Sequence, residues 1–181
     1  MGKGGSFDFR EVRKLQKQIE AIEKGKEGFC RDCAKELAAR LLAKVVRRTP
    51  VGRAPKIDGP KAVKVNGSSG KSHTFLSPQA AAWSGYVGGN LRRNWTTGEI
   101  QKKGGTFEVE VFNPTEYASY VEYGHRQEPG RYVPAIGKKL KRAWVPGKFM
   151  MTISEKEVKS LAPRLLEKWL EEYLRRCLDG E

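Results

Sequence analysis

Apolar residues recur at steps of three and four through the first part of the chain, at Phe9, Val12, Leu15, Ile19 and Ile22. That spacing predicts one apolar face on a helix beginning at Asp8, which serves as N-cap. Gly25 and Gly28 follow and predict a break. A second helix is predicted from about Lys26 to Arg48, with Phe29, Cys33, Leu37, Leu41, Leu42 and Val45 facing inward. Its last turn carries Lys44, Arg47 and Arg48, which suit the negative end of the helix dipole, and Pro50 stops it.

From Arg53 to Gly88 the periodicity fades into Gly, Pro, Ser and Lys, so this stretch is expected to be a long flexible connection. Strand patterning begins near Asn90. LRRNWTTGEIQ and TFEVEVFN flank Lys103-Gly104-Gly105, and Phe107, Val109 and Val111 alternate with Glu108 and Glu110. These features predict a β-hairpin with one half-buried arm. A short helix is expected over Thr115–Tyr123, with Ala118, Val121 and Tyr117 inward. WVPGKFMMTIS reads as a further strand. Ser154 and Glu157 then form an S-x-x-E capping box that opens a helix to Leu178. Its expected buried stripe is Val158, Leu161, Leu165, Leu166, Trp169, Leu170, Tyr173 and Leu174, with Pro163 as a kink.

The resulting fold class is α+β in a single domain of residues 1–181. It has N-terminal helices (8–48), a basic inserted loop (53–88), a small antiparallel sheet region with a short central helix (90–153), and a long C-terminal helix (154–178).

Composition adds charge to this picture. Among 181 residues there are 35 Lys and Arg against 21 Asp and Glu, a net charge of +14. Such an excess favours an anionic partner, either nucleic acid or an acidic protein surface. A hydrophobic content of 38% is enough for one core and argues against a disordered chain. No apolar run is long enough to span a membrane, and MGKGGSFDFR lacks the apolar segment of a signal peptide, so a soluble cytoplasmic chain is expected. Three cysteines are too few for a disulfide framework.

Catalytic and metal chemistry find little support. Gly67-Ser-Ser-Gly-Lys-Ser72 resembles a phosphate-binding loop, but the G-x-x-x-x-G-K-S pattern needs glycine where Val65 stands. Cys30 and Cys33 lack a second pair, and i, i+3 residues on a helix share one face, so a packed pair is the simpler reading. His125 beside Glu122 invites a general-base role. No nucleophile accompanies it, and Gly124, His125 and Arg126 read equally as a helix C-terminus. No catalytic residue, cofactor or metal is therefore expected.

Tyr117, Tyr120 and Tyr123, spaced by three, mark one helix edge, and Tyr132 follows. One domain cannot easily bury four tyrosines with satisfied hydroxyls. Tyr and Arg dominate protein–protein hot spots, which makes Tyr120, Tyr123, Arg126, Arg131 and Tyr132 interface candidates. A core role for Tyr117 and Tyr120 stays open.

RRTPVG, GGNLRRNWTTG and VFNPTEYASYVEYGHR together resemble the minor tail-component family of long-tailed phages and prophages. The resemblance runs from the second helix to the last, and is most specific at Asn113, Tyr117, Ala118, Tyr120, Val121, Glu122, Tyr123, Gly124, His125 and Arg126. It implies a non-enzymatic tail-completion or head–tail joining protein, assembled as a homo-oligomeric ring in the virion neck. The implied partners are copies of itself, the head–tail connector and tail proteins, with the host cytoplasm as the place of assembly. In simple members the T-P-V turn leads almost directly to the Gly-Leu-Arg segment, whereas here residues 53–88 intervene. Arg53, Lys56, Lys61, Lys64 and Lys71 of that insertion are candidates to face the DNA channel or a neighbouring protein, and non-specific backbone contact suits the charge. Two other classes compete: a general nucleic-acid-binding protein, resting on charge, and a nucleotide-dependent enzyme, resting on GSSGKS.

Overall fold

The computed structural model describes residues 9–54, 62–66 and 72–179. In chain order the elements are α1 (Arg10–Arg48), β1 (Ala62–Asn66), β2 (Ser72–Leu76), α2 (Pro78–Ala82) and α3 (Asn90–Arg93). Then come β3 (Thr96–Thr97), β4 (Gln101–Lys103), β5 (Thr106–Glu108), β6 (Val111–Phe112) and α4 (Ala118–Tyr123). The chain ends with β7 (Gly124–Arg126), β8 (Tyr132–Val133), β9 (Lys138–Lys139), β10 (Trp144–Pro146) and α5 (Met150–Asp179). The α+β class is as expected. The strands form five two-stranded antiparallel ladders, β1–β2, β3–β6, β4–β5, β7–β10 and β8–β9.

These elements divide into two compact units. The first comprises the described chain up to Lys44, Thr96–Phe112 and the chain from Ser154 onward; the second comprises Val45–Trp95 and Asn113–Ile153.

In the first unit α1 and α5 run antiparallel. Gln18 Nε2 donates to the Leu178 carbonyl at 2.5 Å, Tyr173 stacks on Phe29 with centroids 4.6 Å apart, and Lys44 pairs with Glu157 at 2.7 Å. The break expected at Gly25 and Gly28 is absent, because α1 is one helix of 39 residues. Gly25 has a packing role instead: a Cβ there would meet the Tyr173 hydroxyl, which donates to the Ile22 carbonyl at 2.7 Å. Gly28 faces open space. Tertiary packing has overridden a weak helix propensity.

The β4–β5 hairpin turns at Gly104 and Gly105, both with positive φ, as a two-residue turn between right-twisted strands requires. Phe107, Val109 and Val111 are half-buried, as their alternation predicts. Lys102 reaches Glu27 at 2.5 Å, and its ammonium holds that carboxyl below the usual carboxylate range. Asn90–Arg93, expected as strand, is a helical turn capped on its N-terminal side by Gly89 at φ 90°.

Two expectations for α5 fail. The helix starts at Met150, so Ser154 lies inside it, fully buried, and does not act as N-cap. The apolar stripe is only partly covered, since Leu161, Leu166 and Leu170 are exposed.

Candidate functional site

Most residues of the segments that carry the family resemblance lie in the second unit, where several of their polar groups hold backbone together. Thr49, fully buried, donates from Oγ1 to the Val45 carbonyl and accepts from Trp95 Nε1, both at 2.7 Å. Its own carbonyl accepts from Arg92 Nε at 2.8 Å and Nη2 at 2.5 Å. A guanidinium thus caps the negative end of α1. Asn113 closes the next junction: its Nδ2 donates to the Leu91 carbonyl at 2.7 Å while its Oδ1 accepts from Thr115 N at 3.0 Å.

Glu122 carries the start of α5. Its buried carboxylate accepts from Met151 N at 3.0 Å, Thr152 N at 2.9 Å and Thr152 Oγ1 at 2.8 Å. A carboxylate placed on free N–H groups at the positive end of a helix is a strong charge-assisted cap. It fills the role that the S-x-x-E sequence suggested for Ser154. Phe149, just before the helix, adopts φ 49°, a backbone strain held in place as Phe149 N donates to the Glu122 carbonyl at 3.0 Å.

Gly124 ends α4 and starts β7 with φ 89°. A Cβ there would collide with the Val145 carbonyl and with Gly147 N; one on Gly147 would strike the Glu122 carbonyl. This Gly–Gly crossing lets β7 pair with β10. His125 and Arg126 therefore lie in a strand, not at helix carbonyls. The His125 ring sits 5.9 Å from that of Tyr120, and Gln127 Nε2 lies 3.3 Å from its Nε2. Among the described residues no group hydrogen-bonds to its buried Nδ1.

The outer edge differs in character. Tyr117, Tyr120 and Tyr123 are all exposed, the last two at 58% and 62%, and so are Tyr132, Trp144, Arg126 and Arg131. The expected inward placement of Tyr117 is not found; its hydroxyl accepts from Asn90 Nδ2 at 3.3 Å. Tyr120, for which a core role was open, is not in the core either.

From β7 to β10 the chain forms a long hairpin arm, held by Gln127 N to the Ala143 carbonyl, Gly130 N to the Leu140 carbonyl, and the β8–β9 pairing. Arg126, Arg131, Lys138, Lys139, Lys141 and Arg142 are all exposed on it, with Glu128 as its single acid. No apolar alternation announces this arm in the sequence. Its one signal is the density of cations across 126–142, which names no secondary structure.

The insertion is more ordered than expected. β1 and β2 form a hairpin, Ala80 of α2 is buried, and Trp83 Nε1 donates to the Ala135 carbonyl at 2.5 Å. Its ends meet, since a Cβ on Gly88 would strike the Gly52 carbonyl. Of the five candidate cations in it, Arg53 and Lys64 are exposed, while Lys56, Lys61 and Lys71 lie outside the described residues, as do Asp8 and most of GSSGKS.

Cys30 is exposed and Cys33 buried on α1, and burial pushes the Cys33 thiol up from its ordinary pKa. Among the described residues no group of three or more His, Cys, Asp or Glu side chains is placed to hold a metal ion. Among them, too, no helix is long and apolar enough to cross a membrane.

What this geometry defines is a scaffold of interlocked helix ends with an aromatic and cationic exterior. The chain belongs to the bacteriophage HK97-gp10-like tail-component family, whose model matches residues 13–124, more than half of its length. It is therefore a phage tail component, a virion protein that meets other virion proteins. The matched region runs from Arg13, within α1, to Gly124 at the start of β7, and stops short of the arm and α5. No curated protein and no solved structure matches the chain.

Proposed function

We propose that the protein is a neck or tail-completion subunit that joins phage head to tail as a homo-oligomeric ring around the DNA path, without catalysis. One observation carries this reading. Among the described residues only six hydrophobic side chains are buried, Cys33, Ala38, Val45, Ala80, Leu91 and Met150, while twenty-one large ones are exposed. A lone soluble domain rarely leaves so much apolar surface to water; a subunit that completes its core against neighbours does. Tyr120, Tyr123, Arg126, Arg131 and Tyr132 supply anchors of the hot-spot type for such contacts. Arg53, Lys56, Lys61, Lys64 and Lys71, together with the basic arm, supply the cations that face packaged DNA or an acidic neighbour.

Mass measurement of the purified protein, alone and with tail-tube protein, tests the proposal. A closed ring in either condition is expected. A monomer in both, together with infectious particles from a phage lacking the gene, would remove it. The +14 charge and the arm favour a second reading, a non-specific nucleic-acid-binding protein. That reading predicts strongly salt-dependent duplex binding by the monomer in the absence of any ring.

A further inference from the structure

Charge is divided unevenly between the two units. Of the chain's 35 Lys and Arg and 21 Asp and Glu, the segments of the second unit hold 16 and 4, and those of the first hold 19 and 17. The second unit therefore has a net charge of +12 and the first only +2. Carboxylates of the first unit pair with its own cations, as in Arg40–Glu36, Lys44–Glu157, Lys102–Glu27 and Lys103–Glu108. The second unit has too few acids for that, and Glu122, one of its four, is spent on the start of α5. Repulsion within such a unit favours a partner that supplies the missing negative charge.

Some cations of the second unit are used by its fold. Arg92 binds the Thr49 carbonyl, and Arg93 Nη1 donates to the Gly88 carbonyl at 2.9 Å. The densest group of the remainder lies on the return strand of the arm. Lys138, Lys139, Lys141 and Arg142 fall within five residues there, and all four are exposed. Among the described residues no ion pair engages Lys139, Lys141 or Arg142. Their backbone is fixed: Lys139 pairs with Tyr132, Leu140 N donates to the Arg131 carbonyl at 2.8 Å, and Trp83 Nε1 holds the turn at Ala135. The cations thus stand on a ribbon tied at its base by β7–β10 and at its turn by Trp83.

We propose that this return strand contacts the phosphate backbone of duplex DNA. Lysine supplies three of its four cations, and lysine is depleted at protein–protein interfaces, where arginine and aromatic residues are enriched. A lysine-rich strand therefore suits phosphate better than an acidic protein face. Residues 138–142 include no aromatic side chain, which a single strand would need for base stacking. Tyr132 stands across the ladder from Lys139, so its removal tests that distinction. Duplex DNA as the polymer rests on the reading above of a subunit around the DNA path; the charge distribution adds which unit and which strand meet it.

The test compares two full-length triple variants of equal net charge. K139A/K141A/R142A removes three cations from the arm, and K14A/K17A/K24A removes three from α1. All six side chains are exposed, so both variants should match the parent by circular dichroism. Each is titrated against a fluorescent duplex of arbitrary sequence, and against a single strand of the same length, at about 0.1 M salt. The arm variant should lose at least about tenfold in duplex affinity, and the α1 variant less than about twofold. Y132A should bind the duplex as the parent does, and the parent should favour the duplex over the single strand.

Equal losses from the two triple variants would mean that total charge alone attracts DNA, and would overturn the inference. Duplex binding unchanged in the arm variant would overturn it too; if that variant also failed to join heads to tails, the arm would serve a protein. A parent without measurable duplex affinity, or with a preference for single strands that Y132A abolishes, would count equally against it. Mass measurement decides the ring and these titrations decide the arm, so the two readings fail by different results.

Discussion

Glu122 shows how one side chain can be misjudged when only its neighbours in sequence are visible. Beside His125 it resembles half of a catalytic pair, yet its oxygens are spent on Met151 N, Thr152 N and Thr152 Oγ1. Glu122→Ala should lower stability by about 2–3 kcal/mol, the scale for hydrogen bonds to a charged group, and Glu122→Gln by less, as read from denaturant unfolding. The two α1 glycines should separate in the same experiment. Gly28→Ala is expected to stabilise by about 0.5–1 kcal/mol, because it removes backbone entropy from the unfolded chain at an open position. Gly25→Ala should forfeit that gain, since its methyl displaces the Tyr173 hydroxyl from the Ile22 carbonyl. Thiol labelling at pH 8 should modify Cys30 first and Cys33 last. Burial raises the Cys33 pKa and so makes its reactive thiolate scarce, and it also shields the sulfur from reagent, whereas Cys30 is exposed. The sign carries over to stability: a raised folded-state pKa favours the protonated thiol, and its contribution is lost as pH climbs above the unfolded value of about 8.5. Equal labelling rates at the two cysteines would contradict the packing of α1.

Elements, in turn, are joined at points where backbone meets backbone. β7 and β10 pair only because Gly124 and Gly147 leave room where Glu122, Gly124 and Val145 cross. Gly124→Ala meets both a collision and φ 89°, so a loss of about 2 kcal/mol is expected, visible as a lowered melting temperature. The insertion offers the opposite case. Gly52 and Gly88 already bring its ends together, and closure entropy changes slowly with loop length. Replacing residues 55–76 with a short Gly-Ser linker should leave the melting temperature nearly unchanged. Trp83→Ala should lower it, because it removes the bond to Ala135 from a part of the insertion that packs. If the linker variant melts far below the parent, the β1–β2 hairpin belongs to the core.

Across the whole molecule, charge and apolar surface set the behaviour. Tyr123→Ala should leave folding intact, given 62% exposure, while weakening assembly by about 2 kcal/mol if the tyrosine edge is a subunit contact. Sedimentation of the variant across concentrations reads this directly, and unfolding without a separable assembly defect would sink it. The arm makes a quantitative prediction for duplex DNA. Removing one cation that sits on a phosphate should flatten the plot of log affinity against log salt by about 0.9. Lys139→Ala, Lys141→Ala and Arg142→Ala together should therefore reduce the slope by about 3. An unchanged slope would move DNA contact elsewhere on the surface.

Elements whose signals are local can be read from the residues directly. The helical repeat of Phe29, Cys33, Leu37 and Val45, the Gly104-Gly105 turn with its alternating Phe107, Val109 and Val111, and the short helix before Gly124 are all legible, because periodicity and turn chemistry depend on near neighbours. The charge and the tyrosine spacing are legible for the same reason. Which of these signals is used depends on contacts that exist only once the chain has folded. Ser154 and Glu157 form a sound capping box, but Glu122 reaches Met151 and Thr152 first in space, and the helix begins one turn earlier. Gly25 ordinarily weakens a helix, but Tyr173, 148 positions away in the chain, fills the space beside it and the helix continues. The tyrosine edge lies outside because Asn113, Glu122 and Gly124 take up the inward positions of the same motif. Contacts between distant residues carry no period in the sequence, and it is those contacts that set where α5 begins, where α1 fails to break, and which face of the motif stays exposed.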